Sequence, residues 1–403
     1  MQAVLMVAGK STRTYPLTLT RPKPLLPILN KALIKHSLDQ LTGLFETVIF
    51  ITGYRQDMIK AELGDSYNGI KLVYQEQKRQ LGTGHAVLQA KSHIEGPFVA
   101  MNGDDLFSRQ DIEALLQYDY AALAKKVDNP ELYGVFEIDG ADKVRRLVEK
   151  PKTFIGDLAN IGCYVLQPDF FPELEKTPPS ERGEIEITSA VNSMAQKREV
   201  YTVAITGFWL PTGFAWDLLS HQEYLMRDMQ DGRIEGHVEE HVTLKGGVHV
   251  GSGTVLKSGT YIEGPVIIGR NCTIGPNCTI RGCTSIGDGS IIGQAVEIKN
   301  SILFPDVLIK HLSYIGDSVI GQGAVLGAGT ITANHRHDDG PIFSNIKSLL
   351  VNSNRTKFGA IISDAVKTGI QTSIYPGRKI WPEITTLPGA VISKDLMPPE
   401  FTW

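Results

Sequence analysis

Beginning at Val238, every sixth residue of the chain's second half is aliphatic: Val238, Leu244, Val250, Leu256, Ile262, Ile268, Ile274, Ile280, Ile286, Ile292 and Ile298. Against a background of 42% hydrophobic residues, eleven such positions in succession arise from composition alone about once in ten thousand trials. Four places after many of them stands a small or β-branched residue, as at Val242, Val248, Thr254, Thr260, Val266, Cys272 and Cys278. Glycine often follows directly, as at Gly269, Gly275 and Gly287. A helix repeats every 3.6 residues and a strand every two, so neither gives a six-residue recurrence; a parallel β-helix with three flat sides does. The aliphatic column then fills the inside of a prism, with Cys272 and Cys278 as packing residues. The register slips near Lys310, recovers over 315–330, breaks across 335–357 and resumes weakly at Phe358, Ile370, Ile374, Ile380 and Ile392. A break of that length predicts a functional or mobile loop leaving the stack.

Up to about residue 228 the pattern differs. Short β-branched runs at 3–7, 48–51, 98–101, 121–127 and 161–166 alternate with amphipathic stretches such as Ile34, Leu38, Leu41 and Ala86, Leu88, Ala90. This predicts an α/β domain with a mainly parallel sheet over 1–228, a linker at 229–237 and the β-helix over 238–403. With 403 residues, 21% charged residues and a net charge of −4, the chain has no cationic excess to replace the counterions of a nucleic acid. Its apolar runs are too short to span a bilayer, and no basic leader with a cleavage site is visible at the N-terminus. The four cysteines, Cys163, Cys272, Cys278 and Cys283, make neither a disulfide framework nor a paired CxxC zinc site. A cytoplasmic protein with no nucleic-acid or membrane partner is expected.

After the opening strand comes Ala8-Gly9-Lys10-Ser11-Thr12-Arg13, then Pro16-Leu17-Thr18 and Arg21-Pro22-Lys23-Pro24. A glycine-bearing turn at the C-terminal end of a strand offers backbone N–H groups to a phosphate, and Arg13 and Lys23 supply charge. The whole run AGKSTRTYPLTLTRPKPLLP resembles the signature of the sugar-1-phosphate nucleotidylyltransferases, and the likeness covers most of the first 220 residues. It implies a Rossmann-like nucleotidyltransferase domain. Ala8, Gly9, Gln77, Gln80, Gly82 and Thr83 would bind the nucleotide, with the segment 77–86 similar to the uridylyltransferase version. Gly134, Glu149, Lys150 and Asn160 would bind the sugar phosphate, Asp104 in Asn102-Gly103-Asp104 would hold Mg²⁺, and Arg182-Gly183-Glu184 is also familiar from the group. The implied reaction is attack of a sugar-1-phosphate oxygen on the α-phosphorus of UTP or dTTP, with Arg13 and Lys23 as the catalytic cations. Two positions depart from the family pattern. Ser11 stands where a second glycine is usual, and Trp209-Leu210-Pro211-Thr212-Gly213 replaces Trp-x-Asp-x-Gly, whose Asp is a second metal ligand. Asp105, Asp217, water or the nucleotide would then complete the Mg²⁺ shell.

Within the repeat, Arg281, Lys299, the run His311-Leu312-Ser313-Tyr314-Ile315-Gly316-Asp317 and the run Gly327 to Asn334 resemble the acetyltransferase half of the bifunctional N-acetylglucosamine-1-phosphate uridylyltransferase and glucosamine-1-phosphate acetyltransferase family, especially its archaeal members. The resemblance implies a left-handed β-helix that forms a homotrimer and uses acetyl-CoA. His311 would be the catalytic base, with Arg281 and Lys299 on the acceptor's phosphate and Tyr314 and Asn334 orienting the sugar and the oxyanion. Relatives carry a lysine where Gly340 stands; Lys347 or Arg336 could substitute. His335 and His337, two apart, lack the spacing of a zinc site. The expected function is bifunctional, acetylation of glucosamine-1-phosphate or galactosamine-1-phosphate preceding nucleotidyl transfer. A nucleotidylyltransferase with a scaffolding β-helix, and an acetyltransferase whose N-terminal half is a sensor disabled by Pro211, are the other readings.

Overall fold

The computed structural model describes residues 1–399 and 401, and the chain forms two compact units whose boundaries do not follow the sequence. The first comprises Met1–Lys10, Pro22–Leu25 and Leu33–Pro211; the second comprises Ser11–Arg21, Leu26–Ala32 and the chain from Thr212 onward.

The first unit is built on a ten-stranded mixed sheet. At its centre Phe98–Asn102, Gln2–Met6, Thr47–Thr52 and Ile70–Glu76 lie side by side and parallel. These strands are near-continuous apolar runs because both faces are covered, so Val4, Ile49, Phe98 and Ala100 are all fully buried. The helix Leu33–Leu41 buries Leu33, Ile34, Leu38 and Leu41. On the other flank, Leu158–Leu166 runs antiparallel to Phe98–Asn102 and pairs with Gly134–Ile138, which pairs in turn with Val144–Glu149.

The second unit contains the expected left-handed β-helix, with strands of two to four residues stacked in three parallel sheets. From Val250 to Ile298 every residue of the six-residue series is buried; Val238 is exposed and Leu244 only half-buried, since they stand at the open end of the prism. Cys272 and Cys278 are buried among this column, as their register requires. One coil takes eighteen residues where Ile280 sits beside Ile298 and seventeen where Ile298 sits beside Ile315. The slip expected near Lys310 therefore occurs earlier. Lys299 is still in step with Arg281, whereas Ile302 already pairs with Ser285, so the lost residue falls in the turn at Asn300-Ser301. The break at 335–357 is no structureless loop either. Phe343–Ile346 and Leu349–Asn352 form a hairpin, anchored where Ser344 Oγ donates to Gly377 O at 2.8 Å and the Arg378 guanidinium donates to Phe343 O at 3.0 Å. Its two-residue alternation, with Ser344 and Ile346 buried, is invisible to a search at period six.

Candidate active sites

In the first unit the C-terminal ends of three parallel strands collect chemistry, as open α/β sheets do. Ala8 and Gly9 follow Gln2–Met6, Asp104 follows Phe98–Asn102, and Gln77 follows Ile70–Glu76. Gln77 is buried; its amide nitrogen donates to Gly82 O at 3.2 Å and lies 2.9 Å from His85 Nδ1. Burial, and secondarily the nearby Arg79, lower the pKa of His85 below the usual imidazole value. Gly82 has a φ of +104°, and a Cβ there would stand 2.5 Å from Ile185 O, so only glycine fits. Thr83 Oγ1 accepts from Ile187 N at 3.1 Å. Gln80 and Ala8 converge on Gly53, where a Cβ would lie 2.9 Å from the Gln80 amide nitrogen and 2.8 Å from Ala8 O. Gly53 was not foreseen; a glycine just past a strand is its only trace in the sequence.

Lys23 is a buried cation, 6% exposed, and its ammonium pairs with the carboxylate of Asp104, which is 31% exposed. The neighbouring Asp105 is buried and accepts from Asn102 Nδ2 at 3.3 Å and from Trp209 Nε1 at 3.4 Å. Pro211 stands directly across from Asp105 in an antiparallel pair, so the position that departs from the family pattern lies beside the turn expected to bind Mg²⁺ and adds no carboxylate to it. Asp217 Oδ2 accepts from the N–H groups of Gly213 and Phe214 at 2.8 and 2.7 Å, which ties that oxygen to its own turn. Among the described residues no group of three or more His, Cys, Asp or Glu side chains is arranged to hold a metal.

The expected sugar-phosphate residues share one rung of the sheet. Gly134 pairs with Glu149 on one side and Asn160 on the other, and a Cβ on Gly134 would lie 3.0 Å from Glu149 Oε2. Burial, and then the charge of Glu186, raise the pKa of Glu149 above the usual carboxylate value. Arg182 moderates this, lying 2.6 Å from Glu186 and 3.6 Å from Glu149. Lys150 turns out of the strand with a left-handed φ of 45°, its N–H donating to Tyr133 O at 2.9 Å.

Arg13 belongs to the second unit. It sits in the short turn Thr12–Thr14 with its guanidinium 5.6 Å above the Phe214 ring. Ser11 takes a φ of 50°, the conformation for which glycine is favoured. Its carbonyl accepts the hydroxyls of Thr14 and Thr18 at 2.7 and 2.9 Å.

On one side of the prism, Arg281 and Lys299 occupy successive rungs, and Glu297 is followed on the next rung by Tyr314. Arg281 donates twice to Glu297 Oε1, at 3.0 and 2.7 Å. The group centres on Asp317, whose side chain is 2% exposed and lies 3.7 Å from Lys299 Nζ. Asn334 Nδ2 donates to Asp317 Oδ2 at 2.5 Å and to the Tyr314 hydroxyl at 3.1 Å, while Asn300 Nδ2 donates to Asp317 Oδ1 at 2.8 Å and to Glu223 Oε1 at 2.7 Å. Burial raises the pKa of Tyr314. The structure thus brings Arg281, Lys299, Tyr314 and Asn334 together. His311 ends the strand Leu308–His311 on the adjoining side of the prism. It is exposed, and Leu312, with φ 49°, turns the corner towards Tyr314. Of the candidates for the lysine absent at Gly340, Arg336 is bound to Asp338 and Lys347 stands in the hairpin turn with φ 49°. His335 pairs with Asp339 at 2.7 Å. Asp317 had one sequence signal, its place at the end of the His311 run; Asn300 and Glu223 had none.

Comparison with known proteins fits both halves. The Nucleotidyl transferase family model matches residues 2–227, and the model described as GMPPB C-terminal domain matches residues 262–375. The Bifunctional protein GlmU of Methanococcus maripaludis is 43% identical over 100% of this chain and 97% of its own length. The bifunctional sugar-1-phosphate nucleotidylyltransferase/acetyltransferase of Sulfurisphaera tokodaii is 36% identical over 100% of this chain and 99% of its own. The chain belongs to this bifunctional family. It is accordingly a nucleotidyltransferase and an acetyltransferase. Among solved structures, UDP-glucose pyrophosphorylase complexed with UDP-glucose matches 54% of this chain and 95% of its own with a TM-score of 0.50 and 27% identity. No described helix is long and apolar enough to cross a membrane.

Proposed function

We propose that the β-helix unit acetylates glucosamine-1-phosphate, or its galactosamine epimer, from acetyl-CoA, and that the sheet unit then joins the acetylated sugar phosphate to UTP or dTTP with release of pyrophosphate. In sequence terms, residues 238–403 would serve the first reaction and residues 1–228 the second. The reading is carried by the polar group of Arg281, Lys299, Tyr314 and Asn334 gathered about Asp317. Two cations on successive rungs suit a sugar phosphate, and a corner histidine suits an amine that must lose a proton.

In the first step the amine lone pair attacks the thioester carbonyl, the tetrahedral oxyanion collapses, and the coenzyme leaves as its thiolate. His311 takes the amine proton, and Tyr314 and Asn334 orient the sugar and the oxyanion. In the second step a phosphate oxygen of the sugar attacks the α-phosphorus and the bond to the β,γ-pyrophosphate breaks. No protein nucleophile takes part, so positioning and charge neutralisation by Arg13, Lys23 and Lys150 supply the catalysis. Ala8, Gly9, Gln77, Gln80, Gly82 and Thr83 would hold the nucleotide, and Gly134, Glu149 and Asn160 the sugar. Asp104 fits Mg²⁺, which is commonly held by one or two carboxylates with substrate phosphates completing its shell. Asp105 is buried, whereas Asp104 is 31% exposed beside Lys23; Asp104 would be the protein's ligand, and the ion would neutralise charge on the phosphates.

A homotrimer would cover the exposed apolar residues Ile331, Tyr375 and Val391, the first and last of which lie in the same parallel sheet. Four unpaired cysteines suit a reducing cytoplasm. The test is a product screen by mass spectrometry over several sugar phosphates, each triphosphate and acetyl-CoA. Coenzyme A release lost in His311→Ala, and pyrophosphate release lost in Lys23→Ala, are expected. Wild-type protein that releases no coenzyme A from any amino-sugar phosphate would refute the acetylation half, and Lys23→Ala with normal pyrophosphate release would refute the nucleotidyl half.

A further inference from the structure

Segments that precede the six-residue repeat belong to the compact unit that contains it. In one of them, Ser11–Arg21, Thr20 Oγ1 and Arg21 both donate to Asp364 Oδ2, at 2.7 and 2.6 Å, and none of these three residues is assigned to a reaction. The helix Asp217–Met226 is different, because it meets the acceptor group. Its fully buried Gln222 docks it on the prism: the amide nitrogen donates to Cys283 O at 2.8 Å and to Ser301 O at 3.2 Å, and the amide oxygen accepts from Ser285 Oγ at 2.5 Å. Glu223, the next residue, faces another task. Its Oε1 accepts from Asn300 Nδ2 at 2.7 Å, and the same nitrogen donates to Asp317 Oδ1 at 2.8 Å. An amide nitrogen carries two hydrogens. One goes to each carboxylate, so the flipped amide, which would turn its oxygen towards both, is excluded. Arg355 grips both oxygens of Glu223, at 2.5 and 3.2 Å, and reaches Ser220 Oγ on the same helix at 2.8 Å; its side chain is only 13% exposed. Burial would raise the Glu223 carboxyl, but Arg355, Asn300 and Lys299 hold it below its usual value.

We propose that Glu223, Arg355 and Asn300 are positioning residues for acetyl transfer: the Arg355–Glu223 pair sets the Asn300 amide, and Asn300 holds the carboxylate on which Lys299 and Asn334 rest. The proposal rests on the reading of Lys299 and Asn334 as acceptor-binding residues, and every member lies in one compact unit. Charge explains the arrangement. Glu223 and Asp317 are like charges joined by one neutral amide; Lys299 offsets one and Arg355 the other, so a sugar phosphate does not meet an uncompensated negative pair. Asp317 is buried, and in a buried network a donor lost at one end is felt at the other.

The test uses the full-length protein, with glucosamine-1-phosphate and acetyl-CoA varied separately. Glu223→Gln and Arg355→Gln are each expected to lower kcat/KM for the acceptor by about tenfold, mainly through KM, while KM for acetyl-CoA and the rate of pyrophosphate release stay within about twofold of wild type. Arg355→Lys, which keeps a cation beside Glu223, is expected to recover much of the loss. Asn300 has a left-handed φ of 48°, so Asn300→Gly removes the amide from a turn that glycine accepts; it is expected to show the same loss, and adding Glu223→Gln to it is expected to cost less than about threefold more, because the link is already gone. Should Glu223→Gln fail to fold, Asn300→Gly decides alone. Lys299→Ala separates the two levels: if it keeps the wild-type acceptor KM, the reading of the acceptor group fails and the proposal falls with it. If Lys299→Ala raises that KM while Glu223→Gln and Asn300→Gly keep wild-type values, the proposal alone is overturned. Losses that multiply in the double variant, or that fall equally on acetyl-CoA and on pyrophosphate release, also overturn it.

Discussion

Replacing Asp317 by asparagine tests the centre of the proposed acetyl-acceptor group. The carboxylate accepts Asn300 Nδ2 on Oδ1 at 2.8 Å and Asn334 Nδ2 on Oδ2 at 2.5 Å, and Lys299 Nζ lies 3.7 Å away. An amide offers one oxygen and one NH₂ group, so at least one of these donors would face a donor, and Lys299 would lose its countercharge. A hydrogen bond to a charged group contributes about 1.5–3 kcal/mol, equivalent to about 10- to 150-fold in an equilibrium or rate ratio. Because the displaced partners, Lys299 and Asn334, are those assigned to the acceptor, Asp317→Asn is expected to lose that factor in kcat/KM for glucosamine-1-phosphate. Coenzyme A release, followed as free thiol across a range of acceptor concentrations, measures it; pyrophosphate release by the same preparation serves as the folding control. A folded Asp317→Asn protein whose acetyl-transfer kcat/KM stays within about twofold of wild type would refute the reasoning.

Other consequences are open to simple measurement. Ile298 is fully buried between Ile280 and Ile315; Ile298→Ala is expected to destabilise the prism by about 2–5 kcal/mol, read from denaturant midpoints. Cys163, Cys272 and Cys278 are buried and Cys283 is only partly so, and burial pushes the Cys278 thiol up to about 11; alkylation of native protein at pH 8 is expected to mark Cys283 first, as peptide mapping will show. Burial lowers the Lys379 ammonium from its usual 10.5 to about 8. Between those pH values the unfolded chain holds more protons than the folded one, so the cost of burying this ammonium is full below about pH 8 and is relieved as pH rises towards 10.5. Urea midpoints at pH 8 and pH 10 are expected to show a smaller rise in Lys379→Met than in the parent.

The repeat was legible because a solenoid writes its interior on the sequence at a fixed period, and each buried isoleucine from Ile262 to Ile298 repeats the same environment. The polar group on its side was legible in part, since Arg281 and Lys299 stand one coil apart and Tyr314 lies in a distinctive run. Asn300 and Glu223 were not, because Asn300 sits in the shortened turn and Glu223 on the helix Asp217–Met226, where no periodicity marks them. In the first unit, glycines at forced backbone positions such as Gly82 were readable from the motif, whereas Gly53 matters only because Ala8 and Gln80 close on it in space. The burial of Lys23 and the engagement of Asp105 by Trp209 likewise depend on which strand ends meet, which spacing along the chain does not express.

The pairing of Thr20 and Arg21 with Asp364 spans 344 and 343 positions, and this orders events during synthesis. At about 5–20 residues per second the ribosome needs roughly 20–70 s to reach the partner of a segment it has already made. Over that interval Ser11–Arg21 lacks its native partners on the later coils. Closing this tie therefore waits on more than three hundred further residues, and a nascent chain stalled before Asp364 would lack it however well its opening sheet had formed.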